Sequence, residues 1–212
     1  LKDFEVKVLT AQERLLALEH KLFGEVRERI QAHIGAMQVT ARAVAEIDCL
    51  YSLACAAHNN RYVRPSLNRD DIIRIDDGRH PIIEQYSRDE VFVPNDVTLN
   101  HKDHEVLVIT GPNMAGKSTF MRQVAVLVLM TQIGSFIPAK SASVCPVDRI
   151  FTRIGASDDI LAGQSTFMTE MKEVSYILRH ATARSLLILD EIGRGTSTFD
   201  GMSIAKAVIE YC

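Results

Sequence analysis

Gly111 and Gly116 bracket a turn that is followed at once by Lys117 and Ser118, in the octet Gly-Pro-Asn-Met-Ala-Gly-Lys-Ser. An apolar run, Val106–Thr110, precedes the octet and reads as a buried strand. A helix is expected to open at Gly116 and continue through Met130. The octet also fits G-x-x-x-x-G-K-[ST] at every fixed position, in the strand-then-helix setting that pattern requires. Its chemistry explains its residue types. Backbone N–H groups of the loop and of the helix N-terminus point at phosphate oxygens. The two glycines let the backbone come close, Lys117 adds charge at the β- and γ-phosphates, and the Ser118 hydroxyl suits Mg2+.

About 70 residues later Leu186–Leu189 reads as a second buried strand, and Asp190 and Glu191 emerge at its carboxyl end, where α/β sheets bind ligands. Asp190 is expected to orient Mg2+ through its water shell, and Glu191 to orient or polarise an attacking water. The Asp-Glu pair points to hydrolases of the ABC type rather than to simple nucleotide kinases. Sites of that type need a partner subunit to close them. Gly163-Gln-Ser165-Thr-Phe-Met168 is a candidate for that role, because a serine at a helix N-terminus can aim its hydroxyl and the helix dipole at a γ-phosphate across a dimer. The same serine reads equally well as an N-cap, with Glu170 and Glu173 in the early turns.

The remaining strands and helices alternate: Asp148–Ile154 as a strand, Ser165–Ala181 as a helix, and a further helix from Gly201 to Tyr211. Such alternation predicts a mostly parallel sheet. Between residues 66 and 100 the apolar pieces are short (Ile72–Ile75, Pro81–Glu84, Val91–Val93, Val97–Leu99) and read as strands and turns.

Residues 1–64 differ in texture and contain no proline. Apolar residues recur there at Leu15, Leu18, Leu22, Val26, Ile30, Ile34, Met37, Ala41, Val44, Ile47, Tyr51 and Ala54, always three or four apart. That is the period of an amphipathic helix. Gly24 and Gly35 weaken it by about 1 kcal/mol each relative to alanine. One helix, or two in series near Gly35, would reach on the order of 80 Å over 55 residues. The expected organisation is a helical lever over residues 1–62 and an α/β domain over 63–212. A folded-back hairpin is the alternative for the first segment.

Of the 212 residues 47% are hydrophobic and 24% charged, with a net charge of −3. These values exclude a disordered, collagen-like or supercharged chain. Residues 1–64 carry nine basic and eight acidic side chains and residues 65–212 carry 15 and 19, so neither part has a nucleic-acid footprint. The longest apolar run, Val124–Met130, is far shorter than the roughly 20 residues of a membrane-spanning helix. The cysteines at 49, 55, 145 and 212 lack zinc-site spacing and read as free thiols of a reducing, cytoplasmic setting. His101 and His104 lie in a polar stretch that reads as a solvated turn rather than a ligand pair.

A wider set of motifs carries a resemblance. Asp77-Gly-Arg-His-Pro81, Phe92-Val-Pro-Asn-Asp96, Ile109-Thr-Gly-Pro-Asn-Met-Ala-Gly-Lys-Ser-Thr119, Ile133-Gly-Ser-Phe-Ile-Pro-Ala139, Gly163-Gln-Ser-Thr-Phe-Met168 and Leu189-Asp-Glu-Ile-Gly-Arg-Gly-Thr-Ser-Thr198 resemble the MutS family of DNA mismatch-repair ATPases, in its bacterial form. The resemblance covers essentially the whole chain. It implies an ABC-type P-loop NTPase domain, incomplete at its C-terminal end, behind helices that lead from a DNA-clamping region. It implies ATP and Mg2+ as ligands, bound at Gly111, Pro112, Asn113, Met114, Ala115, Gly116, Lys117, Ser118 and Thr119. Mg2+ would be held by Ser118 and Asp190, and Lys117 and Glu191 would be catalytic. Phe92 resembles the aromatic that stacks on adenine, Asn113 the loop asparagine near the γ-phosphate, and Ser165 the serine that reaches the partner's nucleotide. The implied partners are mismatched double-stranded DNA, a second copy in a homodimer, and a downstream MutL-type repair protein. The family's mismatch-reading segment, switch histidine and dimer contact have no counterpart in these residues.

Two other classes compete. A MutS-like relative acting on recombination intermediates or stalled ribosomes would carry nearly the same nucleotide motifs. A transporter ATPase usually carries Leu-Ser-Gly-Gly-Gln where this chain has Gln164-Ser-Thr-Phe-Met168, and it lacks a long N-terminal helix. The chain taken alone is expected to bind nucleotide with little or no turnover.

Overall fold

The structure is a computed structural model, which describes residues 2–86, 92–112, 114–154 and 166–212. Helix α1 runs unbroken over Lys2–Asn59, through Gly24 and Gly35. Neither glycine adopts a positive φ, and the helix continues through both. The hairpin alternative is thereby excluded. Almost every residue between 11 and 50 is exposed, including the apolar stripe. The helix ends where Arg61 turns left-handed (φ 54°) and Tyr62 N–H donates to the Ala57 carbonyl at 2.9 Å. That six-to-one bond satisfies a carbonyl the helix would otherwise leave open. The chain divides into two compact units, residues 1–52 and 53–212.

Within the second unit the elements follow the order β1 (Ser66–Leu67), β2 (Ile73–Gly78), α2 (Pro81–Tyr86), β3 (Asn95–Leu99), α3 (Lys117–Gln132), β4 (Ser141–Val144), β5 (Ile150–Arg153), α4 (Thr166–His180), β6 (Leu186–Leu189) and α5 (Thr198–Tyr211). The class is mixed α/β. One sheet has the order β1-β4-β2-β3, with β2 antiparallel to both β3 and β4 and only β1–β4 parallel. β5 and β6 form a separate parallel pair, with Ile150 opposite Leu186 and Arg153 opposite Leu189. The parallel pairing expected from the alternation after residue 105 holds for β5–β6, while the larger sheet, built mainly from the short strands between 66 and 99, is mixed. There β2 leads to β3 through the short helix α2 rather than through a full-length crossover helix, so the strands return antiparallel.

Two local readings also change. Pro81–Glu84 is helical: proline occupies the first helical position, where its missing N–H costs nothing. The His80 carbonyl accepts from Glu84 N–H at 2.9 Å. Val106–Thr110 is not a strand, and Val106, Leu107 and Val108 are exposed. A strand exists only as part of a pair, and among the described residues none lies beside this run to exchange hydrogen bonds.

The core gathers around α3. Its Val124, Leu127 and Val128 are at most 3% exposed and join Ile73, Ile75 and Val97 of one sheet to Leu186 and Ile188 of the other. Gln123 lies fully buried in the same helix, with neither amide atom hydrogen-bonded. A Cβ on Gly78 would stand 2.8 Å from the Gln123 amide nitrogen and 3.2 Å from the Asn95 carbonyl, so space where β2 ends is tight. Burial, with Arg122 nearby, holds the His80 imidazole below its ordinary pKa. Burial raises the Cys145 thiol, and all four cysteines are free. The turn after β3 is tied by Asn100, whose side-chain oxygen accepts N–H from Lys102 and Asp103 at 2.8 Å. No helix among the described residues is long and apolar enough to cross a membrane.

Candidate nucleotide site

Glycine-permitted backbone builds the loop ahead of α3. Gly111 has φ 150° and Gly116 φ 85°, and Met114, at φ 65°, projects its whole side chain into solvent. Gly116 is the N-cap of α3, and no side chain caps that end. The N–H groups of Lys117, Ser118 and Thr119 thus open a 16-residue helix with their donors uncommitted to a cap. The first backbone bond there runs from Phe120 N–H to the Gly116 carbonyl at 2.9 Å. The Lys117 ammonium lies over the loop and donates to the Gly111 and Pro112 carbonyls at 2.7 Å each. Ala115 N–H donates back to Pro112 at 3.4 Å. Asn113 lies outside the described residues.

The second motif meets the first. Ser118 Oγ donates to Asp190 Oδ2 at 2.5 Å across 72 residues of sequence. Asp190 is 8% exposed, and its N–H donates to the Arg153 carbonyl at 2.7 Å, extending the β5–β6 register by one residue. Hydroxyl and carboxylate oxygens converging on one point are the hard donors that suit Mg2+.

Glu191 is the second residue beyond β6 and adopts a left-handed φ of 53°. That conformation is uncommon for a residue with a side chain. It turns the chain sharply, and the carboxylate forms an ion pair with the Arg194 guanidinium three residues on. Gly193 is buried at φ 81°, and its N–H donates to Glu170 Oε1 of α4 at 2.5 Å. Glu170 is 3% exposed. Neither Arg194 nor Glu170 is marked by the sequence patterns as part of a site; the density of glycines at 193, 195 and 201 was the available sign of close backbone packing there.

Phe92 is partly buried in irregular chain three residues before β3. Ser165 lies outside the described residues, and α4 begins at Thr166. α5 begins at Thr198, three residues earlier than expected, because Ser197 caps it: Ser197 Oγ accepts Asp200 N–H at 3.4 Å and donates to the Asp200 carboxylate at 2.7 Å.

Comparison with known proteins agrees with the motifs. Residues 107–212 match the family described as MutS domain V. The whole chain is 59% identical over 211 residues to the DNA mismatch repair protein MutS of Alkaliphilus metalliredigens, covering 24% of that protein. It is 58% identical to the protein of the same name from Acetivibrio thermocellus, again over 24% of its length. The Clostridium botulinum protein is 56% identical, with 23% covered. The chain thus spans about a quarter of the length of these relatives. With residues 107–212 on that family model and its full length aligned to these relatives, the chain belongs to the MutS family.

Proposed function

We propose that this chain is the nucleotide-binding part of a DNA mismatch-repair ATPase of the ABC-type P-loop class. The observation that carries the reading is the 2.5 Å bond from Ser118 to Asp190, which joins two motifs 72 residues apart. In this reading the loop Gly111–Thr119 binds the phosphates of ATP through backbone N–H groups, and Lys117 exchanges its two loop carbonyls for phosphate oxygens. Ser118 and Asp190 would hold Mg2+, which would supply charge neutralisation on the transferring phosphate. Glu191 accepts the proton of the attacking water as it adds to the γ-phosphorus, and ADP leaves. Phe92 stacks on adenine, and Ser165 reaches the nucleotide of a second copy in a homodimer. The relatives are named for DNA mismatch repair, which favours this role over one on recombination intermediates or stalled ribosomes. ATP binding would then switch a dimer on mismatched double-stranded DNA and recruit a MutL-type protein.

The test is Glu191→Gln in a full-length MutS protein carrying this sequence. ATP affinity should stay within about threefold, while single-turnover hydrolysis falls by about 10²–10⁴, the range for a general base. Unchanged turnover would remove Glu191 from the mechanism.

A further inference from the structure

Glu170 is a buried carboxylate that the proposed mechanism leaves unused. It is 3% exposed, stands in the second turn of α4, and spends Oε1 on the N–H of Gly193 at 2.5 Å. A charged acceptor on a backbone N–H makes one of the stronger hydrogen bonds, and burial shields it from competing water. Gly193 lies two residues past Glu191, inside the turn that Glu191 begins with its left-handed backbone. The packing around that turn leaves little slack. A Cβ on Gly193 would stand 2.6 Å from the Gly201 Cα of α5, and one on Gly195 would stand 2.9 Å from the Phe167 Cβ of α4. The turn is therefore held between the first turns of two helices, and Glu170 supplies its polar anchor.

We infer that Glu170 is a positioning residue: its carboxylate fixes the 191–195 turn through Gly193 and so sets where the Glu191 side chain stands relative to the phosphate loop. The inference rests on the proposed hydrolysis. It assigns α4 a part in catalysis, because a shift of its first turns moves Gly193, and Glu191 with it. Arg194 pairs with Glu191 within the same turn and keeps the carboxylate from swinging freely. Binding of nucleotide at Gly111–Thr119 does not involve Glu170, so the anchor should act on turnover and leave affinity alone.

The experiment compares Glu170→Ala, Glu170→Asp, Glu170→Gln and Glu191→Gln in a full-length MutS protein carrying this sequence. Glu170→Asp keeps the charge but withdraws it by one methylene. Glu170→Gln loses the charge but keeps an oxygen that accepts the same N–H. Turnover of Glu170→Ala and Glu170→Asp should fall at least tenfold, with KM and the affinity for a non-hydrolysable ATP analogue within threefold. Glu170→Gln should stay within about fivefold of the parent in turnover. Should Glu170→Ala fail to fold, the Asp and Gln pair carries the comparison. Wild-type turnover in Glu170→Asp, or an equal loss in Glu170→Gln, would overturn the inference. So would a loss of nucleotide affinity that parallels the loss of turnover. If Glu191→Gln hydrolyses ATP normally, the proposed role of Glu191 fails instead, whatever the Glu170 variants do.

Discussion

Ser118 and Asp190 owe their meeting to two different kinds of local structure. Ser118 sits in the first turn of α3, just past a glycine that accepts φ 85°, while Asp190 sits one residue past a buried strand. Both residue types and both settings were legible from spacing, and so was the glutamate that follows. The partners of that glutamate were not. Glu170 reads in the sequence as an early-turn helix acid and Arg194 as one residue of the Leu189–Thr198 motif, and only burial and proximity bring them to the turn. Gln123 makes the same point in the core. It interrupts no pattern, yet both of its amide atoms are buried without a hydrogen bond. An unsatisfied buried polar group costs about 1–3 kcal/mol, so Gln123→Met, similar in shape and apolar, should raise stability by about 1 kcal/mol or more in urea unfolding. A loss of stability on that change would mean the amide is bonded in solution.

Elements differ in how much of them local sequence determines. α1 needs only the absence of proline and a period of three to four, and it runs for 58 residues because nothing stops it before Arg61. Gly35 lies in it at ordinary helical backbone, and a Cβ there would meet nothing within 4 Å. Gly35→Ala should therefore stabilise the helix by about 0.5–1 kcal/mol, read as later loss of the helical circular-dichroism signal on heating. No change would mean that this part of the helix does not limit stability. Val106–Thr110 is the opposite case. Its five residues carry strong strand propensity, but propensity describes a residue suited to a sheet and cannot supply the neighbour whose N–H and C=O groups complete the ladder. Pro81–Glu84 went the other way, because proline can open a helix as readily as it ends one.

At the scale of the molecule, α3 makes one core out of two separate sheets. Leu127 is fully buried in a cluster that includes Ile73 and Ile75 of the four-stranded sheet and Leu186 and Ile188 of the pair. Leu127→Ala should cost about 2–5 kcal/mol, and hydrogen exchange should speed in β2 and β6 together. Loss of protection in one sheet alone would show that the two fold independently. The helix that carries Lys117 and Ser118 is thus the same helix that packs against both sheets, which sets the glycine-bracketed loop at the start of a core element. The sequence by itself determined that a phosphate-type loop opens a helix, that an acidic pair ends a buried strand, and that a long amphipathic helix precedes both. Each of these is a local matter of backbone freedom, residue chemistry and periodicity. Tertiary structure decided which strands pair, which of them run antiparallel, and which distant side chains hold the turn beyond Asp190. Those outcomes depend on contacts between residues tens of positions apart, and no short-range pattern specifies them.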